Sequence, residues 1–339
     1  MFPKRVLPRV RMAVVVGVLC ASAGPATAVI RVPADVPTIA EALPLVTPGD
    51  SVLVAPGTYF ESSITADLSS VKIVGETGDP GDVIIDAAGG GSILRVETVN
   101  GAWFRGLTLQ GASHHAISVE GYTAEFDRCV IRANPVGIWS LGRVEVRDCE
   151  FLDNTSRGML IHGTGAWIER SVFARNGEGL GGDRFVINTT FVRNCLFRDQ
   201  AVRAFSVEGG GIYLTSCTLF REPGIYVRRG CMAQLERCIL YGTGPLQCTG
   251  AIVNAYCTDV FASADGWGGC LSGQQDVHGN FSADPLFCAP NAGDLRISSE
   301  SPCAPGMQPT CVLIGAYDVG CGSVSLTPRS WGRLKSLYR

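Results

Sequence analysis

The feature that most constrains this chain is a short phrase that recurs. "FDRCVIRAN" at 126–134 returns as "VRDCEFLDN" at 146–154 and "IERSVFARN" at 168–176. It returns again as "VRNCLFRDQ" at 192–200, "LTSCTLFRE" at 214–222 and "LERCILYGT" at 235–243. Its central column reads Cys129, Cys149, Ser171, Cys195, Cys217 and Cys238, with steps of 20, 22, 24, 22 and 21 residues. Three places earlier stand Phe126, Val146, Ile168, Val192, Leu214 and Leu235; two places later stand Ile131, Phe151, Phe173, Phe197, Leu219 and Leu240. A self-similar unit of this length implies stacked supersecondary units, none of which buries its apolar face alone.

Alternation of two identifies the unit as strands. In "RVEVRDCEF", Val144 and Val146 face one way and Glu145 the other. The odd step from Val146 to Cys149 requires a bend at the polar pair between them. A further strand follows the glycine-rich turns in "GIWSL", "GMLIH", "AFSVE" and "GIYVR". Three short strands per unit with no helix between them predict a single-stranded parallel β-helix of about ten coils. Each residue then lies about 4.8 Å above its equivalent in the preceding coil. The cysteines form an interior column of free thiols, acting as small packing groups rather than as chemistry. Asn134, Asn154 and Asn176 form a second column at a turn, read equally well as stacked amides or as solvated turn residues.

The first 28 residues read as a secretory signal peptide: Lys4, Arg5, Arg9 and Arg11, then "MAVVVGVLCASAG", then Ala26-Thr27-Ala28. No later run is apolar enough to span a bilayer. Without that segment the chain carries 24 basic against 31 acidic residues, a net charge of −7. Nucleic acid, which needs a basic face, is not an expected partner. Forty-two glycines and only 17% charged residues suit many short strands and tight turns. The expected organisation is one β-helix domain over 29–321, with a cap and first coil at 29–62, regular coils at 63–250 and cysteine-rich closing coils at 251–321.

Both ends of the repeat resemble the right-handed parallel β-helix proteins of the pectin-lyase-like class. "VPADVPTIAEALPLVTPGDSVLVAPGTYFES" at 32–62 is similar to their capping helix and first turn; Thr38 and Glu41 have capping-box spacing. "GNFSADPLFC…GDLRISSESPCAPG…IGAY" at 279–317 resembles the final coils of bacterial β-helix repeat proteins. The resemblance implies a fold and an exported or cell-surface location, and leaves function open, because such scaffolds carry lyases, hydrolases, esterases, epimerases, adhesins and stalks. Outside the column, eight cysteines remain after export. Of 105 possible pairings, chain proximity suggests Cys257–Cys270, Cys288–Cys303 and Cys311–Cys321, and elimination suggests Cys231–Cys248. No C-x-x-C pair or adjacent histidine supports zinc, and no cofactor is expected. The basic tail at 322–339 reads as a lid, a docking tag to a surface or sorting partner, or a frayed terminus.

Catalytic signatures of the class are missing. "GGDR" at 181–184 supplies one carboxylate where polygalacturonases carry several, and Tyr226 stands where the second arginine of the pectate-lyase pattern belongs. Asp183, Arg184 and His162 are the one catalytic candidate group, brought near each other on successive coils. A surface feature is more coherent: Trp167, Phe191 and Tyr213 occupy the outward position four places before the central column, an aromatic ladder, with Trp139 and Tyr226 outward on the glycine-led strands. Sugar rings stack on aromatic faces, and truncating Trp167 is expected to weaken such binding without lowering stability. Two readings follow: a non-catalytic protein binding a polysaccharide or surface partner along its side, or a polysaccharide lyase or hydrolase with an unrecognised site. A groove holding at least two carboxylates, or a carboxylate and a basic residue, at reacting distance would favour the second.

Overall fold

The computed structural model describes residues 27–67, 70–97, 101–182 and 189–322. The repeat folds as expected into a coil of short strands, gathered into parallel sheets of 11, 10 and 9 strands. The first sheet runs from Val29–Val32 to Ile252–Tyr256, the second from Gly57–Phe60 to Asp259–Phe261, and the third from Ile64–Ala66 to Leu246–Gln247. The coil has about 13 turns, somewhat more than the ten expected. Rungs without the cysteine flank the repeat: before Cys129, Phe104 pairs in register with Phe126 and buried Leu107 fills the place of the cysteine, and after Cys238 Thr258 fills it.

Two corners of each rung are built alike. Arg128, Asp148, Arg170, Asn194, Ser216 and Arg237, each directly before the central column, have φ between 48° and 55°. That left-handed backbone costs on the order of 1–2 kcal/mol for a residue with a Cβ. The column residue offsets it. The Cys129 N–H donates to Cys149 Sγ at 3.3 Å, Cys149 N–H to Ser171 Oγ at 3.1 Å, and Ser171 N–H to Cys195 Sγ at 3.4 Å. Each column side chain in turn donates to a carbonyl, as Ser171 Oγ does to Glu169 at 2.8 Å. The cysteines are free and buried, as expected, yet they are more than packing groups: they accept the N–H groups that the bend removes from the sheets. This is why Ser171 and Thr258 fit the same slot, each accepting the N–H of the column residue one rung earlier; Leu107 stands before the cysteine run, at its first rung.

The second corner repeats the device with amides. Ala133, Asp153, Arg175, Asp199 and Arg221 are left-handed, and after them stand Asn134, Asn154, Asn176, Gln200 and Glu222, all buried. Asn154 Oδ1 accepts from the backbone N–H and the Nδ2 of Asn134, both at 3.2 Å, and Asn154 Nδ2 donates to Asn176 Oδ1 at 2.9 Å. Of the two readings for this column, the stacked amides are the one realised.

Inside the coil, Phe151, Phe173 and Phe197 stack with centroids 4.6 and 4.9 Å apart, and Phe104 on Phe126 at 5.0 Å. Each such pair contributes roughly 0.5–1.5 kcal/mol beyond its buried area. At the start, the helix Ile39–Ala42 is capped by Thr38 Oγ1, which accepts from Glu41 N at 3.1 Å. The Glu61 carboxylate, from the first turn, accepts from Ile39 N and Ala40 N, each at 2.9 Å. At the far end Gln274 finishes the last strand of the first sheet, accepting from Ala255 N and donating to Val253 O, both at 2.8 Å. This leaves that part of the edge unavailable to another chain.

The disulfides correct the expected pairings. The bonds are Cys248–Cys270, Cys257–Cys311 and Cys288–Cys321, with Cα atoms 5.9, 5.6 and 5.8 Å apart. None of Cys257–Cys270, Cys288–Cys303, Cys311–Cys321 or Cys231–Cys248 forms, and Cys231 and Cys303 are buried free thiols. Proximity along the chain misleads because a solenoid brings together residues one coil apart. Cys248 and Cys270 are separated by 22 residues, which is one rung. The other two bonds tie the closing segment, which runs back along the outside of the coil, to Cys257 and to its own small sheet.

Candidate functional site

The first sheet places two outward columns side by side. One reads Trp103, Glu125, Glu145, Trp167, Phe191, Tyr213, Gln234 and Asn254 in register. The other reads Arg105, Asp127, Arg147, Glu169, Arg193, Thr215, Glu236 and Tyr256, three cations against three carboxylates. Neighbouring charges pair: Arg105 with Asp127 at 3.2 Å, and Arg147 with Glu145 at 2.6 Å and Glu125 at 3.3 Å. Burial raises the Asp127 carboxyl above its ordinary value, against the pull of Arg105. The face is amphipathic, and its two columns hold three cations against five carboxylates.

Trp167, Phe191 and Tyr213 do form a ladder, but its rings face each other. Trp167 and Phe191 stack at 4.9 Å, Phe191 and Tyr213 at 5.3 Å, and the Arg143 guanidinium lies 3.9 Å over Trp167. Strand spacing sets this geometry, since rings in register one rung apart fall at stacking distance. The faces of Phe191 are thereby occupied, and the ladder shows ring edges to solvent, with Trp167 38% and Phe191 36% exposed. The expectation that sugars stack on the faces of all three rings does not hold. Trp167 is stacked on one side and capped by a cation on the other, so truncating it removes packing as well as exposed ring.

Trp139 and Tyr226 lie elsewhere, on the third sheet, in one column with Leu160, Gly181 and Ser206 between them. Trp139 packs between His115 at 5.6 Å and His162 at 5.5 Å; burial holds His115 below the usual imidazole value, helped by His114 and His162. Arg203 lies 5.4 Å over Tyr226 and pairs with buried Glu178, as Arg157 does at 2.7 Å. The structure thus does not join these two aromatics to the ladder. Of the catalytic candidates, His162 is half-buried beside Trp139, while Asp183 and Arg184 lie outside the described residues. Residues 323–339 of the expected tail and residues 1–26 of the expected signal peptide also lie outside them.

Where the ladder stops, a groove of about 430 Å³ opens. Its floor is Gln234, Glu236 and Arg237 of one rung and Tyr256 of the next; its wall is Thr310, Cys311 and Val312, held by the Cys257–Cys311 bond. Glu236 pairs with Arg237 at 2.9 Å, and the Tyr256 ring rests against His278 at 5.3 Å. Gln234 is directly in register with Tyr213. Sequence reading missed this site because its wall arrives from more than 50 residues downstream. It also missed Trp103, since the rung that carries it has no cysteine to mark the repeat. Among the described residues, no group of three His, Cys, Asp or Glu converges to hold a metal ion, and no helix is long and apolar enough to cross a membrane.

A coil of three parallel sheets with stacked interior ladders is a right-handed parallel β-helix, and that is the fold of this chain. A family model described as a right-handed beta helix region matches residues 92–240. Pectate lyase Pel9A is similar in structure at 13% identity and a TM-score of 0.56, over 84% of this chain and 91% of that one. A pectin methylesterase from Aspergillus niger aligns at 14% identity and 0.47, over 77% and 91%; an alginate lyase of the PL6 family, AlyGC, aligns at 16% and 0.49, over 76% and 40%. Such low identities speak to the fold alone. No curated protein matches in sequence.

Proposed function

We propose that this is an exported, non-catalytic β-helix protein that binds a polysaccharide along the outer face of its first sheet. One observation carries the reading. The chain covers its other outward apolar stripe itself: Phe287, Leu295 and Tyr317 of the closing segment pack over Val172, Leu196, Phe220 and Tyr241 of the second sheet, leaving Phe220 4% exposed. The stripe on the first sheet receives no such cover from the described residues, and an exposed apolar stripe rimmed by paired charges marks a binding surface. The ring edges form an apolar ridge, and the flanking arginines and carboxylates supply hydrogen bonds to hydroxyls. Three disulfides support an oxidising location outside the cytoplasm.

The enzymatic reading has one supporting observation: Glu236 and Arg237 bring a carboxylate and a basic residue together in the groove, as that reading asks, although the two are paired with each other at 2.9 Å. Glycoside hydrolysis ordinarily needs two carboxyl groups flanking the bond, and Glu236 is the one carboxylate lining that groove. Binding is therefore favoured. The test is a panel of neutral and acidic glycans, scored for retention and for product release. Retention without product is expected, at least tenfold weaker in Trp167→Ala than in Trp167→Phe. Product release abolished by Glu236→Gln or Asp183→Ala would overturn the non-catalytic reading, and equal retention by both Trp167 variants would remove the ridge from it.

A further inference from the structure

Resting on that reading, we infer that the groove at the foot of the ladder is the seat for one sugar residue of the bound chain, and that this sugar is uncharged. Its volume of about 430 Å³ lies within the range of small-ligand sites, roughly 300–1,000 Å³. The lining is mixed as a pyranose requires. Gln234, Glu236, Arg237 and Thr310 offer donors and acceptors, while Tyr256 and the 63%-exposed Val312 offer apolar surface on two sides. The position follows the rung after Tyr213, so a glycan lying along the ridge reaches the groove without a turn.

Charge selects the ligand class. The carboxylate of Glu236 is matched by Arg237, and the two columns leading to it hold three cations against five carboxylates. A chain of uronates would need several cations left over after internal pairing, and of the columns' three only Arg193 has no ion pair among the described residues. Such a chain would also approach a protein whose net charge without the leader is −7. A neutral chain meets neither cost, and its binding should be almost insensitive to salt, because screening acts on uncompensated charge. The wall depends on Cys257–Cys311, so reduction of that bond should open the seat.

Titration calorimetry of the secreted chain with neutral hexose oligomers and with uronate oligomers, at two salt concentrations, tests this. The expected result is neutral-oligomer binding that is salt-independent and at least tenfold weaker in Gln234→Ala and in Glu236→Gln, with melting temperatures near wild type. Groove variants that bind as wild type, while Trp167→Ala loses affinity, would overturn the seat and leave the ridge standing. Uronate binding that collapses with salt would overturn the neutral ligand. Absence of binding to either oligomer would overturn both this inference and the reading it rests on.

Discussion

Glu222 offers the sharpest test of the corner architecture. It occupies the slot that Asn134, Asn154, Asn176 and Gln200 fill on the preceding rungs, where an amide both accepts and donates. Its side chain is 1% exposed, and neither carboxyl oxygen meets a well-placed hydrogen-bond partner. Burial, with Asp199 nearby, raises its pKa from 4.5 to about 9, although Gln200 pulls the other way. The folded chain therefore holds a proton that the unfolded chain releases above pH 4.5. Stability from this group is complete below that value and is lost as pH rises toward 9. At pH 7 the gap of about 2.5 pH units costs about 3 kcal/mol, at about 1.4 kcal/mol per unit. Replacement by glutamine supplies the amide of the ladder and removes the titration. Gln200 shows the geometry available, its Nε2 donating to Phe173 O at 2.6 Å. Urea or thermal unfolding of wild type and Glu222→Gln across pH 5–9 should show curves that coincide near pH 5 and diverge steadily, the variant being more stable by about 3 kcal/mol at pH 7. Parallel curves would mean that Glu222 is ionised in the folded protein, and the burial argument would fail.

The same architecture makes further predictions. Asn154→Ala strands the buried N–H of Asn134 and the carbonyl of Ile131, which Asn154 Nδ2 reaches at 3.0 Å, and should destabilise by roughly 2–4 kcal/mol in denaturant unfolding; a loss under 0.5 kcal/mol would refute the ladder. Cys149→Ser should be nearly neutral, because Ser171 already does this work, whereas Cys149→Val should cost about 1–3 kcal/mol by leaving the Cys129 N–H unmet. An equal effect of the two substitutions would return the column to simple packing. Trp167→Ala should lower stability as well as binding, by about 1 kcal/mol for the lost stack on Phe191, and an unchanged melting temperature would argue that the ladder is not formed in solution.

Several levels of this protein were legible in its residues, and for one reason. A solenoid repeats its environment every rung, so a position that must be small and hydrogen-bonding appears as a column of Cys129, Cys149, Ser171 and their equivalents. The interior phenylalanines, the corner before each cysteine and the outward register of Trp167, Phe191 and Tyr213 all follow from that period. The sequence could not show what the column was for, since only the bent backbone reveals the N–H groups it satisfies. Nor could it show that rings in register turn their faces to one another instead of to a ligand. The closing segment breaks the period, and there the linear order stops informing: Cys311 meets Cys257 across 54 residues, Phe287 covers Phe220, and the wall of the groove arrives at Gln234 and Glu236. Local pattern determines a repeating element because each copy meets the same neighbours. A segment that folds back once meets neighbours that nothing in its own residues names, and those contacts are decided by the tertiary structure alone.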